Sequence, residues 1–165
     1  TKVIEEKAFQ KKYPKAYQYL LTKRPILEQR DKGKGSYPAW YSYGRSQALD
    51  KYKYKLFFPH IAPKSPNFVF CEDESLLFVN GRALLGDDKK KILLAQKIMQ
   101  SRLFWFYIER TSKPYASGYF SLSKNYIKDF GVYDFSEDEI DYILMEKNQN
   151  NIDVYIEEKY QVSLS

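Results

Sequence analysis

Residues 40–47, "WYSYGRSQ", place three aromatics, a glycine, an arginine and a glutamine within eight positions. Arg45 carries a forked guanidinium that can pair with two acceptors on a guanine edge, and the Gln47 amide can do the same on adenine. Both, together with Ser46, can also donate to phosphate oxygens, which positions a duplex without reading it. Tyr41 and Tyr43 supply flat, rigid rings with a polar tip. Gly44 lets the backbone turn or approach a partner closely, and Trp40 is expected to pack as an anchor beneath the loop. The chemistry these residue types suit is contact with a nucleic-acid duplex. Two further segments carry the same mixture: "APKSPN" with Lys64, and "TSKPYASGY" with Lys113, Tyr115, Ser117 and Tyr119.

The 165 residues carry a net charge of +6, unevenly placed. Residues 1–64 hold 15 Lys/Arg against 5 Asp/Glu, and residues 65–165 hold 12 against 16. A basic first part suits a polyanionic partner, because phosphate neutralisation by Lys and Arg drives binding. Sixteen tyrosines suit a surface that is partly apolar and partly wet. The single cysteine, Cys71, allows no disulfide within the chain and fits a reducing cytoplasm. No apolar run has the length of a membrane span. The opening segment does not read as a signal peptide, and a first residue of Thr leads us to expect a piece of a larger protein.

Catalytic patterns are sparse. The one histidine, His60, sits beside Pro59 in an apolar run and reads as structural. Glycine-rich nucleotide loops and an Asn/Asp-Pro-Pro-aromatic stretch are absent from the sequence. Two acidic clusters, "EDE" at 72–74 and "EEK" at 157–159, leave open a small metal-dependent nuclease built on carboxylates and a lysine. The second cluster lies on an amphipathic helix, where charges are expected to face water.

The elements that must position these residues follow from periodicity. Residues 1–35 read as helix, with Phe9, Tyr13, Ala16, Tyr17, Leu20, Leu21 and Leu27 on one face. Pro14 and Pro25 mark a start and a kink, and "KGKG" ends the run. Residues 36–86 read as strand-rich: a strand over 52–62 with Pro59 at its end or edge, then "NFVFC" and "SLLFVN" joined by the acidic turn, then a turn at "NGR". Residues 87–165 begin with the clearest helix, "GDDKKKILLAQKIMQSRLFWFYIERTS". Asp87 or Asp88 caps it, and Leu93, Leu94, Ile98, Phe104, Trp105 and Tyr107 form its apolar face. A strand near 118–123 follows. Ser136 and Glu139 form a capping box opening a helix, and "NNIDVYIEEKYQV" makes a last amphipathic helix, suggesting a C-terminal helical hairpin.

The order of these pieces resembles the C-terminal specificity domain of TaqI-like adenine-specific DNA methyltransferases and the restriction-modification enzymes related to them. The likeness is carried by "YPKAYQYLLTKRPILEQR", "WYSYGRSQAL", "KLFFPHIAPKSPNFVF", "LLAQKIMQSRLFWFYIERTSKPYASGYFSLSKNYIKDFGV" and "NNIDVYIEEKYQV", in that order. The most specific parts are the aromatic-Gly-Arg-x-Gln element and the "SRLFWFY" helix followed by "SGYF". The sequence departs from that pattern at "DFGVYDF", where a proline-containing strand exit would be expected. The resemblance implies one target recognition domain over residues 1–165. Its fold would be α+β, a small twisted sheet with flanking helices and the helical hairpin. It implies double-stranded DNA as partner and no cofactor or catalytic residue in this domain. A separate methyltransferase domain of the same parent chain would hold S-adenosylmethionine and flip the target adenine from the duplex. The alternatives from the residues themselves are the metal-dependent nuclease fragment and a protein-interaction or dimerisation domain that uses the aromatic surface and the C-terminal helices.

Overall fold

Proline decides how the basic N-terminal helical run is divided. Pro14 and Pro25 lack an amide hydrogen and are tolerated only in a first helical turn. The run therefore forms three short helices, α1 (Glu6–Lys12), α2 (Pro14–Thr22) and α3 (Arg24–Glu28), each proline lying in the first turn of its helix. A 3-10 turn at Arg30–Gly33 follows, with Asp31, Lys32 and Gly33 at φ of 51°, 57° and 73°. These left-handed residues end the helical run where "KGKG" predicts it. The computed structural model describes residues 3–44, 51–78 and 81–164. The chain gathers into two units, Thr1–Asp50 and Lys51–Ser165.

The second unit is built around β1 (Tyr54–Phe58), which is the middle strand of an antiparallel sheet between β3 (Val69–Glu72) and β4 (Arg82–Gly86). Alternation sends Tyr54, Leu56 and Phe58 to the core face. Pro59 follows the strand, where no ladder donor is needed. The strand expected over residues 75–80 does not form in its described part, and Val79 and Asn80 lie outside the described residues. The third strand is β4, paired with β1 from Tyr54↔Gly86 to Phe58↔Arg82. The reason is local. The Asp73 carboxylate accepts from Ser75 N and Oγ at 2.8 and 2.6 Å, turning the chain. The buried Lys55 ammonium donates to the Asp73 and Tyr52 carbonyls, both at 2.5 Å. Phe78 then packs edge-on against Phe57, 5.0 Å between ring centroids, on the outer side of the sheet.

A second antiparallel sheet has β6 (Tyr119–Ser121) in the middle, flanked by β2 (Ile61–Ala62) and β5 (Pro114–Tyr115). The strand expected near 118–123 is β6. Around the two sheets lie α4 (Lys89–Gln100), α5 (Arg102–Thr111), α6 (Lys124–Ile127), α7 (Glu137–Met145) and α8 (Gln149–Lys159). The fold is α+β, with eight α-helices and two three-stranded antiparallel sheets among the described residues. None of these helices is long and apolar enough to cross a membrane.

The run read as one helix over 86–112 is two. Asp88 caps α4 by accepting from Lys91 N, as expected. Ser101 adopts an extended conformation, and its hydroxyl accepts from Phe104 N to cap α5. Apolar residues continue at helical spacing across the break, so periodicity alone hides it. The deepest residues of α4 are Ile92, Ile98 and Met99, with Leu93 only half-buried. They face two clusters. One joins the first sheet to Phe68, Phe104, Ile108 and Leu122. The other joins Ile98, Leu103 and Phe135 to Ile143, Ile152 and Ile156 of the C-terminal helices, and Phe130 packs against both. The Ser136/Glu139 capping box forms as the sequence predicts. Along α7 and α8, Glu139 meets Lys159, Tyr142 packs on Tyr155 and Glu146 accepts from Asn151, so the helices run in opposite directions. The Lys159 ammonium, with the Ser136 backbone, holds the Glu139 carboxyl down at about 2.

Ser101 separates the one-helix and two-helix descriptions by experiment. In a continuous helix, Ser101→Ala would raise stability slightly, because Ala is the better helix former. With Ser101 as a fully buried cap, the substitution is expected to cost about 1–2 kcal/mol. Urea denaturation of both chains decides between the two signs.

Candidate nucleic-acid interface

The "WYSYG" loop is held by contacts that the first unit makes to itself. Trp40 donates its indole N–H to Glu6 Oε1 at 2.8 Å. Its ring meets Tyr17 and Tyr41 edge-on at 6.0 and 5.3 Å, and the Arg24 guanidinium lies 5.1 Å from its centroid. Trp40 is thus the anchor the sequence predicts. Tyr41 points the same way: its hydroxyl donates to the Ile4 carbonyl at 2.6 Å and its ring packs on Phe9 at 5.2 Å. Of the two tyrosines read as contact residues, only Tyr43 projects outward, 77% exposed, beside the exposed Gly44. Arg45, Ser46 and Gln47 lie outside the described residues.

Arg30 sets this direction, and sequence reading missed it. Its Nε donates to the Leu27 carbonyl at 2.8 Å, its Nη1 to the Ser42 carbonyl at 2.8 Å and its Nη2 to the Trp40 carbonyl at 2.9 Å. One planar fork thus joins α3 to both sides of Tyr41, a geometry that an ammonium cannot reproduce. The guanidinium also stacks 4.0 Å over the Tyr37 ring. Glu6 was missed as well. It accepts from Trp40 and from the Tyr17 hydroxyl at 2.9 Å, and these bonds hold its carboxyl below the ordinary range. Neither role has a local signal, since Glu6 and Trp40 are 34 residues apart.

The unit that carries this loop is basic. Residues 1–50 carry 11 Lys/Arg against 5 Asp/Glu, whereas residues 51–165 carry 16 of each, so the first unit holds the whole net charge. Among the described residues of the first unit, Arg24–Glu28 at 2.8 Å is the one ion pair. Lys7, Lys11, Lys12, Lys15, Lys23, Lys32 and Lys34 are exposed and have no carboxylate partner there. In the second unit, by contrast, Lys53, Lys89, Lys90, Lys91, Arg102, Lys128 and Lys159 are all ion-paired.

The remaining candidates lie in the second unit. Lys64 is exposed just beyond β2. Lys113, Tyr115, Ser117 and Tyr119 lie on the β5–β6 hairpin, where Tyr115 pairs with Tyr119 and Ser117 and Gly118 turn the chain at φ of 65° and 75°. Tyr115 is 43% exposed, and the Lys113 ammonium lies 5.4 Å from its ring centroid. Tyr119 is half-buried.

His60 is exposed, and its Nδ1 accepts from Arg82 Nε at 2.5 Å. Glu72 of the first acidic cluster pairs with Lys89 at 2.6 Å. In the second cluster, Glu157 does not face water as expected. It is buried, accepts from Arg102 Nη2 at 2.9 Å and from Leu164 N at 3.2 Å, and so ties α8 to the start of α5. No group of three or more His, Cys, Asp or Glu side chains suited to a metal ion occurs among the described residues. Compared with known proteins, the chain matches no family profile and no curated relative.

Glu6 gives the first unit a signed pH dependence. Its lowered pKa means that the stabilisation is fully present above the ordinary value of 4.5 and is lost as pH falls through the lower folded value. In a Trp105→Phe chain, Trp40 is the sole indole. Its emission is expected to stay constant down to pH 4.5 and to change only below it. A transition centred at or above 4.5, or one unchanged in Glu6→Gln, would contradict the anchoring role.

Proposed function

We propose that this chain is a sequence-specific recognition domain for double-stranded DNA, belonging to a restriction-modification enzyme of the adenine-methylating type. In this reading the chain carries no catalytic centre itself. It positions the duplex for a methyltransferase domain of the same parent protein, which binds S-adenosylmethionine and works in the cytoplasm. The supporting observation is the first unit: seven exposed lysines without carboxylate partners among the described residues, in the same unit as a loop that holds Tyr43 outward. Unpaired lysines neutralise phosphates without first breaking an ion pair, and they release condensed counterions. Tyr43 leads directly into Arg45, Ser46 and Gln47, the residue types that read base edges. The finer fold assignment, a specificity domain of the TaqI-like kind, rests on the order of sequence pieces and agrees with the α+β architecture.

A second reading has one specific observation behind it. Met145, Tyr142 and Val154 on the C-terminal helices are 78%, 43% and 49% exposed, which suits a contact with another protein surface. It is compatible with DNA recognition, since the parent's catalytic domain is itself a partner.

Fluorescence anisotropy of labelled duplex DNA tests the leading reading. Binding is expected to weaken steeply as salt is raised. Arg45→Ala and Gln47→Ala are each expected to cost about 1–3 kcal/mol and to relax sequence preference. Absence of binding at low salt, or binding indifferent to salt and to both substitutions, would overturn it.

A further inference from the structure

The second unit is neutral overall, but its charges are segregated along the chain. Residues 51–71 and 110–128 contain no Asp or Glu, while they hold 8 of the unit's 16 Lys/Arg. Every acidic residue of the unit lies in 72–109 or 129–158. All three strands of the second sheet come from the two acid-free segments: β2 from the first, β5 and β6 from the second.

The strand register brings the exposed parts of these segments to one end. Ile61 pairs with Ser121 and Ala62 with Phe120, so β2 runs toward the β5–β6 turn and Lys64 leaves the sheet at that turn. On the other side Pro114 pairs with Phe120 and Tyr115 with Tyr119. Phe120 packs edge-on against Trp105 at 5.9 Å, which fixes the inner face of the sheet. By alternation Lys113, Tyr115 and Tyr119 share the outer face. Residues 113–118 are all exposed, whereas Ser121 and Leu122 at the hairpin base are buried. A short ribbon rooted at its base thus carries Lys113 and the Tyr115 ring, and Lys64 follows β2 at the same end of the sheet. Neither Lys64 nor Lys113 has a carboxylate partner among the described residues.

We infer that this end of the second sheet is a phosphodiester contact in its own right, separate from the basic first unit. It rests on the DNA reading above and adds to it. The neutral unit touches the backbone of the same duplex through Lys64 and Lys113, with Tyr115 laid against the sugar-phosphate chain. The basic first unit therefore does not supply all of the salt-dependent grip.

The test is the salt dependence of binding of the full chain to a labelled duplex, for four proteins: unaltered, Lys64→Ala/Lys113→Ala, Lys7→Ala/Lys11→Ala, and Lys147→Ala. Lys147, exposed between α7 and α8, controls for net charge alone. Each lost phosphate contact makes the log–log slope shallower by about 0.9. The Lys64/Lys113 pair is therefore expected to lose roughly tenfold less affinity between about 50 and 200 mM salt than the unaltered chain. Lys147→Ala is expected to leave the slope unchanged. Circular dichroism confirms that each variant is folded. If the Lys7/Lys11 slope falls while the Lys64/Lys113 slope does not, the DNA reading stands and this inference alone fails. If Lys147→Ala flattens the slope as much per charge, the effect is net charge and the inference fails again. If the unaltered chain binds no duplex at low salt, both fail.

Discussion

The first unit depends on one guanidinium. Arg30 spends its three donor directions on the carbonyls of Leu27, Trp40 and Ser42, and so closes the loop back onto the third helix. Most of the side chains in that unit are exposed, and Tyr17 is the one buried apolar residue described there. A hydrophobic core cannot hold such a small body together. Its order comes from polar fixtures: Arg30 on backbone oxygens, and Glu6 on the Trp40 indole and Tyr17 hydroxyl. Charge-assisted bonds of this kind are stronger than neutral ones. They also leave the lysines free, because Glu6, one of the few acids, is occupied by neutral donors instead of by a cation.

The second unit is stabilised in the opposite manner. Two apolar clusters meet at Phe130, and six of its lysines are held in ion pairs, as with Lys90 against Glu137 and Asp141. Among its exposed lysines without a carboxylate partner, Lys64 and Lys113 lie where the sequence carries no acid, beside the sheet formed by β2, β5 and β6. The two units thus present cations by different routes: an excess of lysine in one, segregation of charge in the other. Exposed lysines held on short, fixed elements suit an extended polyanion better than a small compact ligand.

What was legible in the sequence was local. The Ser136/Glu139 box, the Asp88 cap and the proline-marked starts of α2 and α3 involve partners within a few residues, and each forms as read. Features set by distant partners were not legible. Ser101 breaks a helical pattern that is apolar on both sides of it, where its neighbours Ile98 and Leu103 both serve the second core cluster. Residues 75–78 have strand-like composition but are turned away by the Asp73 side chain, and β4 takes the place beside β1. At the site, Trp40 and Tyr43 take the directions expected of them. Tyr41 turns inward because Ile4 and Phe9, more than 30 residues earlier, supply its hydrogen bond and ring contact.

Amide hydrogen exchange of the full chain, with and without duplex DNA, tests the central claim most directly, because it locates the bound surface without altering a residue. Duplex contact through the loop and the sheet end predicts added protection around residues 41–47, 62–65 and 113–119, with α7 and α8 unchanged. Protection confined to α7 and α8, or none anywhere at low salt, would contradict it.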